Sequence, residues 1–152
     1  FDPATKGACV FENLETTVSG IFACGNVLHV HDLVDFVSDE AERAGYYAAL
    51  YALGHLGHDD RVLEVKAGEG IKYALPQKIR PKELEASLEL MYRVTKKYQQ
   101  AIVNVVQDGK IVHQLKRHVL LPAEMEKIKI PTEVLNSSGK DLTIEVKCLY
   151  NS

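Results

Sequence analysis

The sequence predicts a mainly β fold: a C-terminal antiparallel β-sandwich of immunoglobulin-like type, preceded by a partial α/β unit with one main helix. Three observations predict it. Period-two alternation recurs in short runs from Val62 onward, an Asp-Gly pair separates two of those runs, and one stretch of three- and four-residue apolar spacing precedes them all. Across Gly54-His55-Leu56-Gly57-His58-Asp59-Asp60 the composition shifts to glycine and acid as the periodicity changes, so a domain boundary is placed there, with 1–58 and 59–152 as the two units.

Taken in order, residues 8–12 and 20–24 read as short strands. The second, Gly20-Ile21-Phe22-Ala23-Cys24, is an apolar run bounded by Gly20 and Gly25. From Asp35 to Leu53 the spacing is helical, with Val37, Ala41, Ala44, Ala48 and Ala52 on one face; Asp35 is the expected N-cap, Asp39 and Glu40 suit the first turns, and Gly54 supplies the stop. Beyond the boundary, Ile71, Tyr73 and Leu75 alternate with Lys72 and Ala74, while Leu88, Leu90, Tyr92 and Val94 alternate with Glu89, Met91 and Arg93. Residues 101–106 and 111–115 flank Gln107-Asp108-Gly109-Lys110, a hairpin signal because glycine tolerates positive φ. With 62–65, 126–130 and 142–148 the expected number of strands is about seven, the signature of an antiparallel sandwich. A barrel is the other all-β closure compatible with that pattern.

Composition excludes several partners. The chain of 152 residues carries 18 basic against 21 acidic side chains, with no basic block to meet nucleic acid or a membrane surface. No apolar run reaches the roughly 20 residues of a membrane span. Cys9, Cys24 and Cys148 are odd in number and far apart, which suits reduced thiols in a cytoplasm. The chain opens on Phe1-Asp2-Pro3 and is expected to be part of something longer.

A strand ending in Ala23-Cys24-Gly25 presents little side-chain bulk at its carboxyl end, where open α/β folds admit ligands, and Asn26 then offers a donor and an acceptor suited to hydroxyls. The helix that follows directs free N–H groups and the positive end of its dipole outward. Residues 16–26, Thr16-Thr17-Val18-Ser19-Gly20-Ile21-Phe22-Ala23-Cys24-Gly25-Asn26, together with Ala44-Gly45-Tyr46-Tyr47-Ala48-Ala49, resemble the C-terminal flavin-binding motif of FAD-dependent pyridine nucleotide (disulfide) oxidoreductases, the group including thioredoxin reductase and NAD(FAD)-dependent dehydrogenases. There the pattern is T-x-x-P-G-[IV]-[FY]-A-x-G-D, followed by a helix with A-x-G-x-x-A-A. Ser19 stands in place of the proline and Asn26 in place of the aspartate.

The resemblance implies that residues 1–58 are the remnant of an FAD-binding domain. It places Gly25 and Asn26 along the ribityl and phosphate region, and the amides near Phe36, Val37 and Ser38 at the flavin pyrimidine oxygen. The cofactor implied is FAD, with NAD(P) as a possible second, and the implied partners are the upstream FAD and NAD domains. The motif covers about the first third of the chain, and no G-x-G-x-x-G stands at a strand-to-helix turn; Gly68-Glu69-Gly70 lacks the third glycine and runs into a strand pattern. The expectation is therefore a C-terminal part of an FAD-dependent oxidoreductase, inactive by itself, that self-associates through its exposed N-terminal segment. The alternative is a non-enzymatic β-sandwich interaction module.

His29, His31, Asp32 and Asp35 have the side-chain chemistry to chelate a divalent ion. The only further cluster is His55, His58, Asp59 and Asp60, too remote to complete a site unless loop and helix end converge, so no metal is expected and the histidines are read as lining a flavin or substrate cavity. The three cysteines read as small packing residues, Tyr46 and Tyr47 as packing residues with a polar tip, and Lys116-Arg117-His118 as a solvated strand edge.

Overall fold

A computed structural model describes residues 1–57 and 59–149; His58 at the expected boundary and residues 150–152 at the end of the expected second unit lie outside the described residues. The chain is mainly β, with two sheets and one α-helix. Helix α1 is Val34–Ala52, and the strands are β1 Leu63–Ala67, β2 Ile71–Leu75, β3 Lys78–Ile79, β4 Ser87–Val94, β5 Tyr98–Gln107, β6 Lys110–Leu120, β7 Glu126–Pro131 and β8 Leu142–Cys148. All seven expected strands in the second unit are present. The additional one, β3, is two residues long, too short to carry a period.

One sheet has the order β3-β1-β8-β5-β6 and the other β2-β4-β7. Pairing is antiparallel throughout except between β1 and β8, which run parallel with Val65 opposite Leu142. That departs from the all-antiparallel expectation. The two strands lie at opposite ends of the β-rich segment, so no hairpin constrains their direction. The β5–β6 hairpin closes through Asp108 and Gly109 at φ +53° and +73°, the mirror-image turn that matches strand twist and that Asp-Gly favours. Strand β6, which carries Lys116-Arg117-His118, is an edge strand as expected.

Side chains from both sheets meet in a core containing Val65, Val103, Ile144, Leu90, Tyr92 and Ile130. The three-stranded sheet is covered on its other face as well. A register shift in β2 between Ile71 and Tyr73 turns Ile71 toward the inter-sheet core while Tyr73 and Leu75 point away from it. The simple alternation read for this strand is thereby broken. Tyr73, Leu75 and Met91 join Val10, Leu14, Ala23, Leu28, Ala44 and Met125 in a second hydrophobic cluster. Leu28 and Leu75 are fully buried there, each contributing roughly 1.5–3 kcal/mol by removal from water. The N-terminal segment is thus packed onto the outer face of the β2-β4-β7 sheet.

Residues 8–12 and 20–24 are not strands. They make single bridges, Val10 with Thr16 and Glu15 with Phe22, because no further strand lies beside them to extend a ladder. Arg80 holds this segment down, its guanidinium donating to Glu12 Oε1 (3.1 Å), Glu15 Oε2 (3.0 Å) and Asn13 Oδ1 (2.9 Å). Helix α1 begins one residue before Asp35. Leu33 occupies the N-cap in an extended conformation without a side-chain cap, and Asp35 sits in the first turn, where its charge complements the dipole. The helix ends as the sequence implies: Gly54 N–H donates to Tyr51 O and His55 N–H to Leu50 O, the paired bonds of a Schellman closure. No described helix is long and apolar enough to cross a membrane.

Candidate functional site

Between the N-terminal turn of α1 and the outer face of the three-stranded sheet lies a connected set of polar side chains. Glu40 comes from the inner stripe of α1, four residues before the buried Ala44, and is 3 % exposed. His29 and His31 come from the loop after a one-turn 3-10 helix, Gly25–Val27. Their rings lie 4.4 Å apart between centroids, with side chains 0 % and 1 % exposed. Tyr73 and Arg93 are opposite one another on β2 and β4.

Glu40 Oε1 accepts the Gly25 N–H at 2.6 Å and lies 3.0 Å from His31 Nε2. Glu40 Oε2 faces His29 Nε2 at 3.6 Å, beyond hydrogen-bonding distance, and among the described residues neither atom has a hydrogen-bond partner; nor does His31 Nδ1. Burial works against the charged form of Glu40, but the facing His29 ring, the Gly25 N–H and His31 together hold its carboxyl below the ordinary glutamate range.

The relay continues on the sheet side. His29 Nδ1 is 3.1 Å from the Tyr73 hydroxyl, which accepts the Arg93 Nε–H at 2.8 Å. Arg93 also donates to Val30 O at 2.8 Å, to Ala123 O and to the Asp32 carboxylate, which in turn accepts the Met125 N–H. Partial burial opposes ionisation of Asp32, and the Met125 and Arg93 donors outweigh it, keeping its pKa below the usual aspartate range. One guanidinium therefore fastens residues 30–32 and 122–123 to the sheet.

The expected flavin-contacting residues are divided: Gly25 belongs to the cluster through its bond to Glu40, Phe36 and Val37 are half-buried, and Asn26 and Ser38 face solvent. Gly25 is buried at φ +72°, a conformation that strains any residue with a Cβ, and a Cβ there would come 3.6 Å from Val37 Cγ1. Gly25 and Val37 are thus neighbours. Asn26 is exposed, its Oδ1 accepting the His31 N–H at 3.2 Å. Phe36 is half-buried under the Lys127 ammonium, 4.3 Å from the ring centroid, and Ser38 is exposed. Around them Val27, Val30, Leu33 and Val34 are 60 %, 66 %, 57 % and 79 % exposed. On the other flank of α1, Phe36, Glu40, Arg43, Tyr47, Met91 and Lys127 line an open groove of about 680 Å³.

Asp35 is exposed and outside the cluster, and His55 is exposed. Asp59 accepts the Arg61 and Lys82 N–H groups, so it ties its loop to the turn after β3. Cys9 and Cys24 are half-buried and Cys148 exposed, all as free thiols. Glu40, Tyr73 and Arg93 were not picked out by the sequence. For Glu40 a signal exists: it lies three residues after Val37 and four before Ala44, on the apolar stripe where an acid needs partners.

Comparison of the chain with protein-family models, with curated proteins and with solved structures finds no match.

Proposed function

We propose that this chain is the C-terminal part of a cytoplasmic FAD-dependent oxidoreductase, in which residues 25–38 close one wall of the flavin site and the region from residue 59 forms an immunoglobulin-like sandwich tail. The observation that carries the reading is the start of α1. It has no side-chain cap, it lies beside Gly25 and Asn26, and it is rimmed by four exposed aliphatic side chains. Backbone donors with the positive end of a helix dipole, set in an apolar rim, suit a flat ring whose polar edge accumulates negative charge.

FAD, when bound, supplies the hydride and electron chemistry between a small organic substrate and a second acceptor such as NAD(P). The residues of this chain position and tune. Gly25 keeps the backbone free of bulk, Asn26 retains its amide donor for a hydroxyl, and the amides of residues 34–37 offer hydrogen bonds that strengthen as charge develops. The exposed rim is also the surface against which the upstream FAD and NAD domains would close. Expressing the chain with its natural upstream residues tests the reading: a yellow protein holding one FAD per chain supports it, and a colourless protein that takes up no FAD on titration refutes it.

A further inference from the structure

We infer that His29, His31 and Glu40 form a binding site for a divalent transition-metal ion of the zinc class, which clips the loop after Gly25 to helix α1. The inference does not rest on the flavin reading.

The three side chains bring ligand atoms to within 4.8 Å of one another, all shielded from solvent. Two imidazoles and a carboxylate are a donor set suited to Zn²⁺. His31 Nε2 lies 3.0 Å from Glu40 Oε1, within hydrogen-bond reach, but the second contact of this carboxylate fits an ion better than a hydrogen bond. Ligand atoms about 2.0–2.1 Å from a tetrahedral zinc lie about 3.3–3.5 Å from one another. His29 Nε2 and Glu40 Oε2 are 3.6 Å apart, too long to bond to each other and close to the spacing of two ligands on one ion.

The unpartnered atoms point the same way. His29 Nε2 and Glu40 Oε2 are buried without hydrogen bonds, a condition that is unfavourable for a polar group and more so for a charged one unless something fills the space between them. The supporting contacts are those a metal site requires. His29 Nδ1 is within reach of the Tyr73 oxygen and can donate to it, which turns the Nε2 lone pair toward Glu40; Arg93 fixes Tyr73 from the other side; and the Gly25 N–H orients the carboxylate. Glu40 also lines the groove beside α1, which provides a route from solvent. With the ligands this deeply buried, and drawn from a loop and a helix, the bound ion stabilises their packing.

The test uses the whole chain, stripped with chelator and titrated with Zn²⁺ and then Co²⁺. One ion per chain is expected, with a melting temperature that rises with metal concentration. X-ray absorption on the zinc form is expected to show nitrogen and oxygen ligands including two imidazoles, and no sulfur. His31→Gln and Glu40→Gln should each weaken Zn²⁺ binding by at least about 100-fold, and Tyr73→Phe by about 10–100-fold, the loss typical of a supporting contact. A variant lacking all three cysteines should bind as before. Absence of stoichiometric binding, sulfur in the zinc shell, or unchanged affinity in the folded His31 and Glu40 variants would each overturn the site. If those variants do not fold, the ligand set read by X-ray absorption on the unmodified chain decides it.

Discussion

Replacing Arg93 by methionine keeps the aliphatic stem but removes the guanidinium that joins residues 30–32 to the sheet. In the folded chain the Arg93 side chain is 9 % exposed and its partner Asp32 28 % exposed. Breaking a fully buried pair from one side costs about 3–5 kcal/mol, because the remaining charge is stranded. Here water reaches part of Asp32, and its carboxylate keeps the Met125 N–H, so the figure falls to about 2–4 kcal/mol. Val30 is largely exposed, so its carbonyl can rehydrate and adds little. For a chain of this size, a loss near 3 kcal/mol lowers the melting temperature by roughly 6–12 °C. Urea unfolding monitored by far-UV circular dichroism, with matching m-values, is the assay. Arg93→Lys should fall between the two, since an ammonium keeps the charge but cannot span Tyr73, Val30 and Asp32 together. A loss below about 1 kcal/mol for Arg93→Met would refute the claim that this guanidinium anchors the loop.

Other outcomes follow from separate parts of the molecule. Burial, reinforced by the nearby Glu126 charge, pushes the Tyr92 hydroxyl up to about 12. The unfolded chain then releases this proton first, so stability is intact below about pH 10 and falls by about 2–3 kcal/mol as pH rises toward 12. Urea midpoints across that range should fall less in Tyr92→Phe than in the parent, the remaining loss coming from Tyr47 and Tyr73, whose hydroxyls are also raised; equal alkaline losses in both would contradict the assignment. Because the Tyr92 hydroxyl is buried without a hydrogen-bond partner, the same variant should be no less stable than the parent at neutral pH, by the same assay. Gly109→Ala forces φ +73° on a residue with a Cβ and should cost about 1–2 kcal/mol in the same unfolding assay. The exposed rim of Val27, Val30, Leu33 and Val34 should drive self-association, seen as mass rising with concentration in light scattering. Val34→Asp should reduce it, whereas a monomer at all concentrations would show that the rim does not self-pair.

Much of the β-rich segment was legible because its physics is local. Leu142, Ile144 and Val146 alternate with polar residues, and Asp108-Gly109 specifies its turn without reference to anything distant. The parallel contact of β1 with β8 is decided by packing between segments nearly eighty residues apart, to which period and turn chemistry are blind. The sheet's second covered face was also hidden. Met91 and Arg93 read as the polar side of a strand, and only the register shift in β2 and the Arg80 network bring the N-terminal segment over them. Glu40 was misread for a related reason. An acid in the first turns of a helix is ordinarily solvated beside the dipole, and its burial depends on His29 and His31 folding back from a loop that has no periodicity of its own.

The central claim is that residues 25–38 form one wall of a flavin site. Its most direct test is amide hydrogen exchange in the chain extended through its natural upstream residues, compared with and without FAD. The account predicts that the amides of residues 34–37, the free donors of the first helical turn, become protected when FAD binds. FAD bound with those amides exchanging at an unchanged rate, or no FAD bound at all, would contradict it.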